Sequence, residues 1–468
     1  MLFGASRLHR QQGYARRRPA DGTVRHPPAS YFHDVVDIHQ IRRIFCFTTN
    51  LLYNQNDMET GNTPEFYTGA PVDPVDLRFR GAFVVELWRT LRNGHAVLTA
   101  PRRTGKTSVM DYLRDHPENG FSVVSINVQD LTHPADFFQV LLDGFHDAHP
   151  DFVRDRLAAG WGLVGGVLER VDSIGAGGFK LALRRSDPDW RENWRRHGDT
   201  LLAQARSTGV PILLIVDEFP DMLLNLSRDN RALLREFLAW FRTQRLSPAP
   251  KRDSIRWLVG GSVNLAGTLD ALGLVDLIND LEDVSLPPLT DGDVETFVTD
   301  MLSGREVPFD DEVAQRLIAR LGRPIPLFMQ MATQDLYRLW KRERRKVVAA
   351  DVDTVFDTMI VGSAARTRLQ HFRSRLRQYY AVPERSIAHA LLSQISASES
   401  GLRRASLLQE TERALTELGV TLPAHERRQR FNQLILDLEN DFYIVEVDEE
   451  IYDFASGVLK SWWSKYHA

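Results

Sequence analysis

The chain has 468 residues, long for one domain, and its 43% hydrophobic and 26% charged composition is that of an ordinary soluble globular protein. No apolar run approaches the roughly 18 residues that a membrane-spanning helix needs, and a net charge of −4 makes no global electrostatic case for nucleic acid. The single cysteine, Cys46, excludes an internal disulfide framework and suits a reducing, cytoplasmic setting.

Residues 1–57 carry eight Arg against four Asp, hence +4, so the remainder of the −4 chain carries −8. Apart from 41–47 they show no periodicity. A basic arm, an arginine-rich targeting peptide and upstream sequence ahead of a start at Met58 all fit. The last is preferred, and low order is expected in each case. Residues 64–75 are turn-like, with Pro64, Gly69, Pro71 and Pro74. A helix follows over 82–92 on its apolar spacing.

Next comes the most informative stretch, Ala96-Val-Leu-Thr-Ala100-Pro101-Arg102-Arg103-Thr104-Gly105-Lys106-Thr107-Ser108. A short apolar strand enters a tight turn, and a helix opens after it, which is the context of a phosphate-binding P-loop. Backbone N–H groups of residues 100–108 and the helix dipole favour a polyphosphate there. Lys106 is expected to reach the β and γ phosphates of ATP, and the Thr107 hydroxyl to ligate Mg²⁺. Ala100 stands where the Gly-x-x-x-x-Gly-Lys-Thr pattern has its first glycine.

A second strand is expected over 121–128 and a helix over 135–147, whose face holds Phe137, Phe138, Leu141 and Phe145. Residues 150–185 form a glycine-rich insertion, a hairpin or a flap, and 190–207 is helical. The apolar run Pro211-Ile-Leu-Leu-Ile-Val-Asp-Glu-Phe-Pro220 reads as a strand buried on both faces and ending in two carboxylates. Burial of Asp217 and Glu218 calls for a cation. Asp217 therefore joins Thr107 at the metal, as a direct ligand or through a bound water, and Glu218 is the base that orients and polarises the attacking water. An arginine-rich helix, 230–245, precedes a strand over 255–260. If that strand pairs between the P-loop and carboxylate strands, Ser262, or next to it Asn264, reaches the γ phosphate or the water. A final short strand over 284–290 closes a doubly wound α/β core spanning 58–290.

Residues 291–365 read as a helical lid, with Arg323 of Gly322-Arg-Pro324 either reaching phosphate from it or merely occupying a turn. Residues 366–468 read as a linker helix, three helices and a β-hairpin, that is, a winged helix. Its third helix holds Arg427, Arg428 and Arg430, but its wing holds Glu446, Asp448, Glu449 and Glu450, which would repel a phosphate backbone. Contact with a protein partner, or self-association, is preferred over contact with DNA.

Together, Pro101-Arg-Arg-Thr-Gly-Lys-Thr-Ser108, Asp217-Glu-Phe-Pro220, Gly260-Gly-Ser262 and Gly322-Arg-Pro324 resemble the archaeal-type AAA+/STAND ATPases with a C-terminal winged helix. Tyr452-Asp-Phe454 with Leu459-Lys-Ser-Trp-Trp463 is similar to that family's ending, and Phe66-Tyr67 with Pro71 to its beginning. The resemblance implies an additional-strand P-loop core, ATP as ligand and a nucleotide-driven switch. It assigns no arginine finger, although Arg228, Arg231, Arg235 and Arg242 are available. A regulatory ATPase switch is the leading expectation. The alternatives are a DNA-loading or remodelling ATPase and a nucleotide-binding scaffold with negligible turnover.

Overall fold

The structure, a computed structural model, describes residues 63–100, 103–149, 189–246, 255–261, 265–361 and 363–467. The expectations placed on 1–57, on the insertion 150–185 and on Pro101, Arg102, Ser262 and Asn264 lie outside the described residues.

Five strands, β1 (His95–Thr99), β2 (Ser122–Asn127), β3 (Ile212–Asp217), β4 (Ile255–Gly261) and β5 (Leu281–Ser285), form one parallel sheet in the order β2-β3-β4-β1-β5. All six residues of β3 are buried, as expected of a central strand covered on both faces. β4 pairs with β1 (Leu98 opposite Gly260) and with β3 (Val216 opposite Val259). It is therefore inserted between the P-loop and carboxylate strands, and the ends of all three converge on one edge. β5 begins and ends earlier than the 284–290 expectation, because Pro287 and Pro288 cannot donate to a ladder.

Alternate strand residues feed two cores. Ala96, Leu98, Leu213, Ile215 and Leu258 pack under α1 (Gly81–Asn93) and α2 (Lys106–Asp115). Val97, Leu214, Val216, Trp257 and Val259 face α3 (Pro134–Ala148), α4 (Trp194–Arg206), α5 (Phe219–Asp229) and α6 (Arg231–Leu246). Helix α5 was not expected from the sequence. Pro220 reads as a breaker, yet in the first helical turn its missing N–H costs nothing. A short α7 (Leu265–Ala271) follows β4.

His95 opens β1 and is held as a neutral ring: Trp257 N–H donates to Nδ1 at 3.2 Å, which leaves Nε2 to donate to Arg245 O at 3.1 Å. Burial, and the charges of Arg245 and Arg256, push its pKa from 6.5 down to about 4. In that window the unfolded chain takes up a proton that the folded chain refuses. The stabilisation is therefore complete above the ordinary value and is lost as the pH falls toward the depressed one. We expect this group to contribute a pH slope worth about 3 kcal/mol to the urea midpoint across that interval. His95→Asn should be less stable at neutral pH and lack that slope.

After the sheet come α8 (Asp291–Ser303), α9 (Glu312–Leu321), α10 (Pro326–Glu343) and α11 (Ala349–Val361). A capping box sets the start of α8, with Thr290 accepting from Asp293 N and Asp293 from Thr290 N. Then follow α12 (Ser363–Tyr379), α13 (Glu384–Ala397), β6 (Leu402–Arg403), α14 (Arg404–Glu417), α15 (Ala424–Asn440), β7 (Ile444–Asp448), β8 (Ile451–Phe454) and α16 (Gly457–Tyr466). The small antiparallel sheet, ordered β6-β8-β7, gives this segment winged-helix topology. One continuous apolar cluster runs from Leu289 to Trp463, so the lid and the winged helix share a core. Their backbones touch where Gly322 bridges Ser456, and a Cβ on Gly457 would lie 2.4 Å from Arg320 O.

Candidate active site

Gly105 takes the left-handed conformation (φ +96°) that glycine adopts without strain, and this turn aims the start of α2 at the sheet edge. No side chain caps α2, so the N–H groups of its first turn and its dipole are left for a ligand. The Lys106 stem runs beside Gly260, where an added Cβ would lie 3.4 Å from Lys106 Cδ and 2.3 Å from Met110 Cε. The Lys106 ammonium is buried (6% exposed) and lies 3.1 Å from Asp217 Oδ1. The angle there makes no hydrogen bond, and among the described residues the ammonium has no acceptor.

Asp217, at the end of β3, accepts from Thr107 Oγ1 at 2.8 Å and from Glu218 N at 2.9 Å. The next residue, Glu218, is a non-glycine in the left-handed region (φ +57°), a strain of order 1–3 kcal/mol that turns its side chain into the cleft. One helical turn later stands Asp221, buried at 5% exposure, which accepts a hydrogen bond from Tyr379 Oη of α12. Burial, against the pull of the Tyr379 hydroxyl and with the Glu218 charge beside it, raises the Asp221 pKa above the ordinary carboxylate range. Arg375 stacks on Tyr379 at 4.8 Å and pairs with Asp441 at 3.4 Å, while Arg228 of α5 donates to Gln378 O at 2.8 Å. The floor of the site is thus tied to the helix that enters the winged helix.

The segment 63–80 straps the lid to the P-loop. Arg80, itself buried, donates to Thr104 O (3.2 Å) and to Pro287 O (2.8 Å). Val72 N donates to Ser108 Oγ at 2.9 Å, and Arg103 to Gly69 O at 3.2 Å. On the lid side, Tyr67 N donates to Gln330 Oε1, and Arg78 pairs with Asp300 at 2.6 Å. Between strap, P-loop and the start of α10 lies a cleft of about 260 Å³, lined by Lys106, Thr107, Glu218, Val72, Pro326 and Gln330 among others. A narrower recess of about 60 Å³ adjoins it, with Leu77, Phe79, Leu289, Phe297 and Met329 on its walls.

Of the residues singled out in the sequence, Arg103, Gly105, Lys106, Thr107, Ser108 and Glu218 line this cleft, and Asp217 lies directly beneath it. Ala100 packs against the sheet core, and Thr104 is buried under Arg80. Arg323 does not line the cleft. The left-handed turn at Gly322 sends it over the Phe442 ring at 4.9 Å, toward the winged helix, where burial lowers its pKa. Asp221 escaped sequence reading because α5 was not recognised; with that helix in hand, its spacing of three from Glu218 is the signal. Nothing local marks Val72, Gln330 or Tyr379, and Tyr67 stands out only in the Phe66-Tyr67 resemblance, not as a site residue.

The site is chemically selective. A buried ammonium lacking an acceptor and an uncapped helix start suit phosphate oxygens. Thr107 and Asp217 suit Mg²⁺, which takes one or two protein oxygens and completes its shell with phosphate and water. The AAA domain family matches residues 89–266. Among solved structures, the Walker-type ATPase of Pyrococcus abyssi superposes with a TM-score of 0.56 at 16% identity, over 85% of this chain and 98% of that one. The Aeropyrum pernix ORC2 protein, in its ADPNP–ADP complexes, gives 0.49 at 12%, over 84% and 93%. No protein of curated function matches the chain. Residues 89–266 therefore carry an AAA domain that spans both the P-loop and the carboxylate strand, on a parallel sheet with a strand inserted between them.

Proposed function

We propose that the chain binds ATP with Mg²⁺, hydrolyses it, and uses the nucleotide state to move the lid and winged helix as a regulatory switch. The observation that carries this reading is the buried Lys106 ammonium, poised over Asp217 at an angle that leaves its donors for another acceptor. Lys106 and the first turn of α2 hold the β and γ phosphates, and Thr107 with Asp217 holds the cation. Bound Mg²⁺ supplies charge neutralisation on the phosphates. Glu218 orients the attacking water and takes its proton; the apolar recess beside Tyr67 and Phe79 receives the base.

Two features support the switch. The lid and winged helix share one core, so closure of α10 over the cleft carries both. The Tyr379 hydroxyl bonds Asp221, whose carboxyl lies beside that of Glu218. On the third helix of the winged helix two of the three arginines are paired, Arg427 with Glu412 at 3.3 Å and Arg430 with Glu384 at 2.8 Å, and only Arg428 is left exposed without an ion pair among the described residues. A protein partner or a second copy therefore fits its output better than base readout there.

The test is a distance measured by pulsed EPR between labels at Val85→Cys on α1 and Leu418→Cys after α14, in a Cys46→Ser background. Both native side chains are exposed. We expect ADP and a non-hydrolysable ATP analogue to give different distances, and Tyr379→Phe to merge them while ATP still binds. Identical distances in every state of the parent protein would refute the switch.

A further inference from the structure

Away from the nucleotide cleft, α12 and the start of α13 enclose an open cavity of about 550 Å³, lined by Arg373, Leu376, Arg377, Arg385, Ser386 and His389. Its charge is of one sign. Residues 363–379 hold five arginines and neither Asp nor Glu. Arg375 is turned inward to Asp441, but Arg373 and Arg377, one turn apart, both face the cavity, and Arg385 faces it from α13. Among the described residues none of the three guanidinium groups has a hydrogen-bond or ion-pair partner. Among the described residues no carboxylate lines the cavity, and Glu384, beside Arg385, is tied away to Arg430 at 2.8 Å.

Three guanidinium groups converging without a counter-charge repel one another, and the surroundings register the field. His389 and His467 are both held below their ordinary pKa, by burial first and then by Arg373 and Arg377; His467 is pushed down to about 4. The ring Nε2 of His467 is buried with no hydrogen-bond partner among the described residues. A structure keeps such a cluster at a cost unless a polyanion neutralises it.

The geometry points to the phosphate backbone of duplex nucleic acid as that polyanion, held by Arg373, Arg377 and Arg385 on the linker side of the winged helix. Leu376 is the one apolar side chain of the lining, so the cavity lacks the aromatic or aliphatic anchor of a protein interface. Its one ring, His389, is already packed against Trp463 at 5.3 Å and His467 at 6.4 Å, which leaves no platform on which successive single-stranded bases stack. Planar guanidinium forks match phosphate oxygens in pairs. The contact is to backbone alone and predicts no sequence preference. This inference is independent of ATP hydrolysis and uses none of the residues of the nucleotide cleft.

The experiment is fluorescence anisotropy with the full chain and a labelled mixed-sequence duplex of about 20 base pairs, titrated at several salt concentrations between about 50 and 200 mM. With three phosphates engaged, we expect log K to fall against log salt with a slope of about −3. Arg373→Glu with Arg377→Glu should weaken binding roughly 100-fold. Arg385→Ala should make the slope shallower by about one while leaving the unfolding midpoint unchanged. Arg427→Glu with Arg428→Glu on α15 should stay within about threefold of the parent by the same reasoning. The proposal is overturned if the parent does not bind duplex at the lowest salt, or if the α15 variant abolishes binding and the cavity variants do not. It is equally overturned if poly-glutamate competes as well as duplex at equal charge, which would assign the cavity to an acidic protein, or if pyrophosphate binds there and duplex does not.

Discussion

Glu218→Gln is expected to lower steady-state ATP turnover by roughly 100- to 10,000-fold, the range that a positioned general base supplies. ATP affinity should stay within about threefold, because the amide keeps the size of the carboxylate and its place in the cleft. The left-handed backbone at Glu218 matters for this prediction. It is a property of the turn between β3 and α5, so glutamine is held in the same direction and loses only the ability to take a proton. Coupled-assay turnover and equilibrium binding of a fluorescent ATP analogue, measured on the same preparation, separate the two effects. Turnover unchanged from the parent would remove Glu218 from the chemistry. Turnover undetectable in the parent would favour a nucleotide-binding scaffold.

Lys106→Ala should weaken ATP binding roughly 100-fold, about 3 kcal/mol, since hydrogen bonds to a charged group are each worth about 1.5–3 kcal/mol. The same change acts on the protein without nucleotide. It removes the only cation near Asp217 among the described residues and leaves that buried carboxylate to the Thr107 hydroxyl and the Glu218 N–H. A lower unfolding midpoint is therefore expected in the absence of ATP. Lys106→Arg should not rescue binding: the stem lies against Gly260, a surface it shares with the Met110 methyl, and the wider guanidinium needs more room there. Calorimetric titration of ATP into each variant checks both statements. Full affinity in Lys106→Ala would mean that the cradle is not the nucleotide site.

The two variants probe opposite ends of one connected structure. In the proposed reading nucleotide enters between a strap that is bonded to the lid and a helix start that is bonded to the strap, through Tyr67–Gln330 and Val72–Ser108. On the other side of the cleft Asp221, one helical turn from Glu218, holds α12 through the Tyr379 hydroxyl.

Local chemistry makes the centre of the site legible in the order of the amino acids. A phosphate cradle needs a glycine at a left-handed turn, a lysine and a hydroxyl at a helix start, and an acid pair at the end of an apolar strand. Each of these is a short-range pattern around Gly105, Lys106, Thr107, Asp217 and Glu218. The insertion of β4 between its neighbours is consistent with the same apolar runs. What the chain order could not reveal is how segments far apart in sequence close on that site. The strap at Tyr67 and Val72, the lid edge at Gln330 and the Tyr379 hydroxyl stand tens to hundreds of residues from Lys106, and nothing in their neighbours marks them as part of the site. Arg323 shows the same limit from the other side: its motif suits phosphate contact, but the shared core of lid and winged helix turns it onto Phe442. Short-range pattern determines what a residue can do; packing between distant elements decides what it faces, because burial of apolar area sets their docking and polar side chains follow.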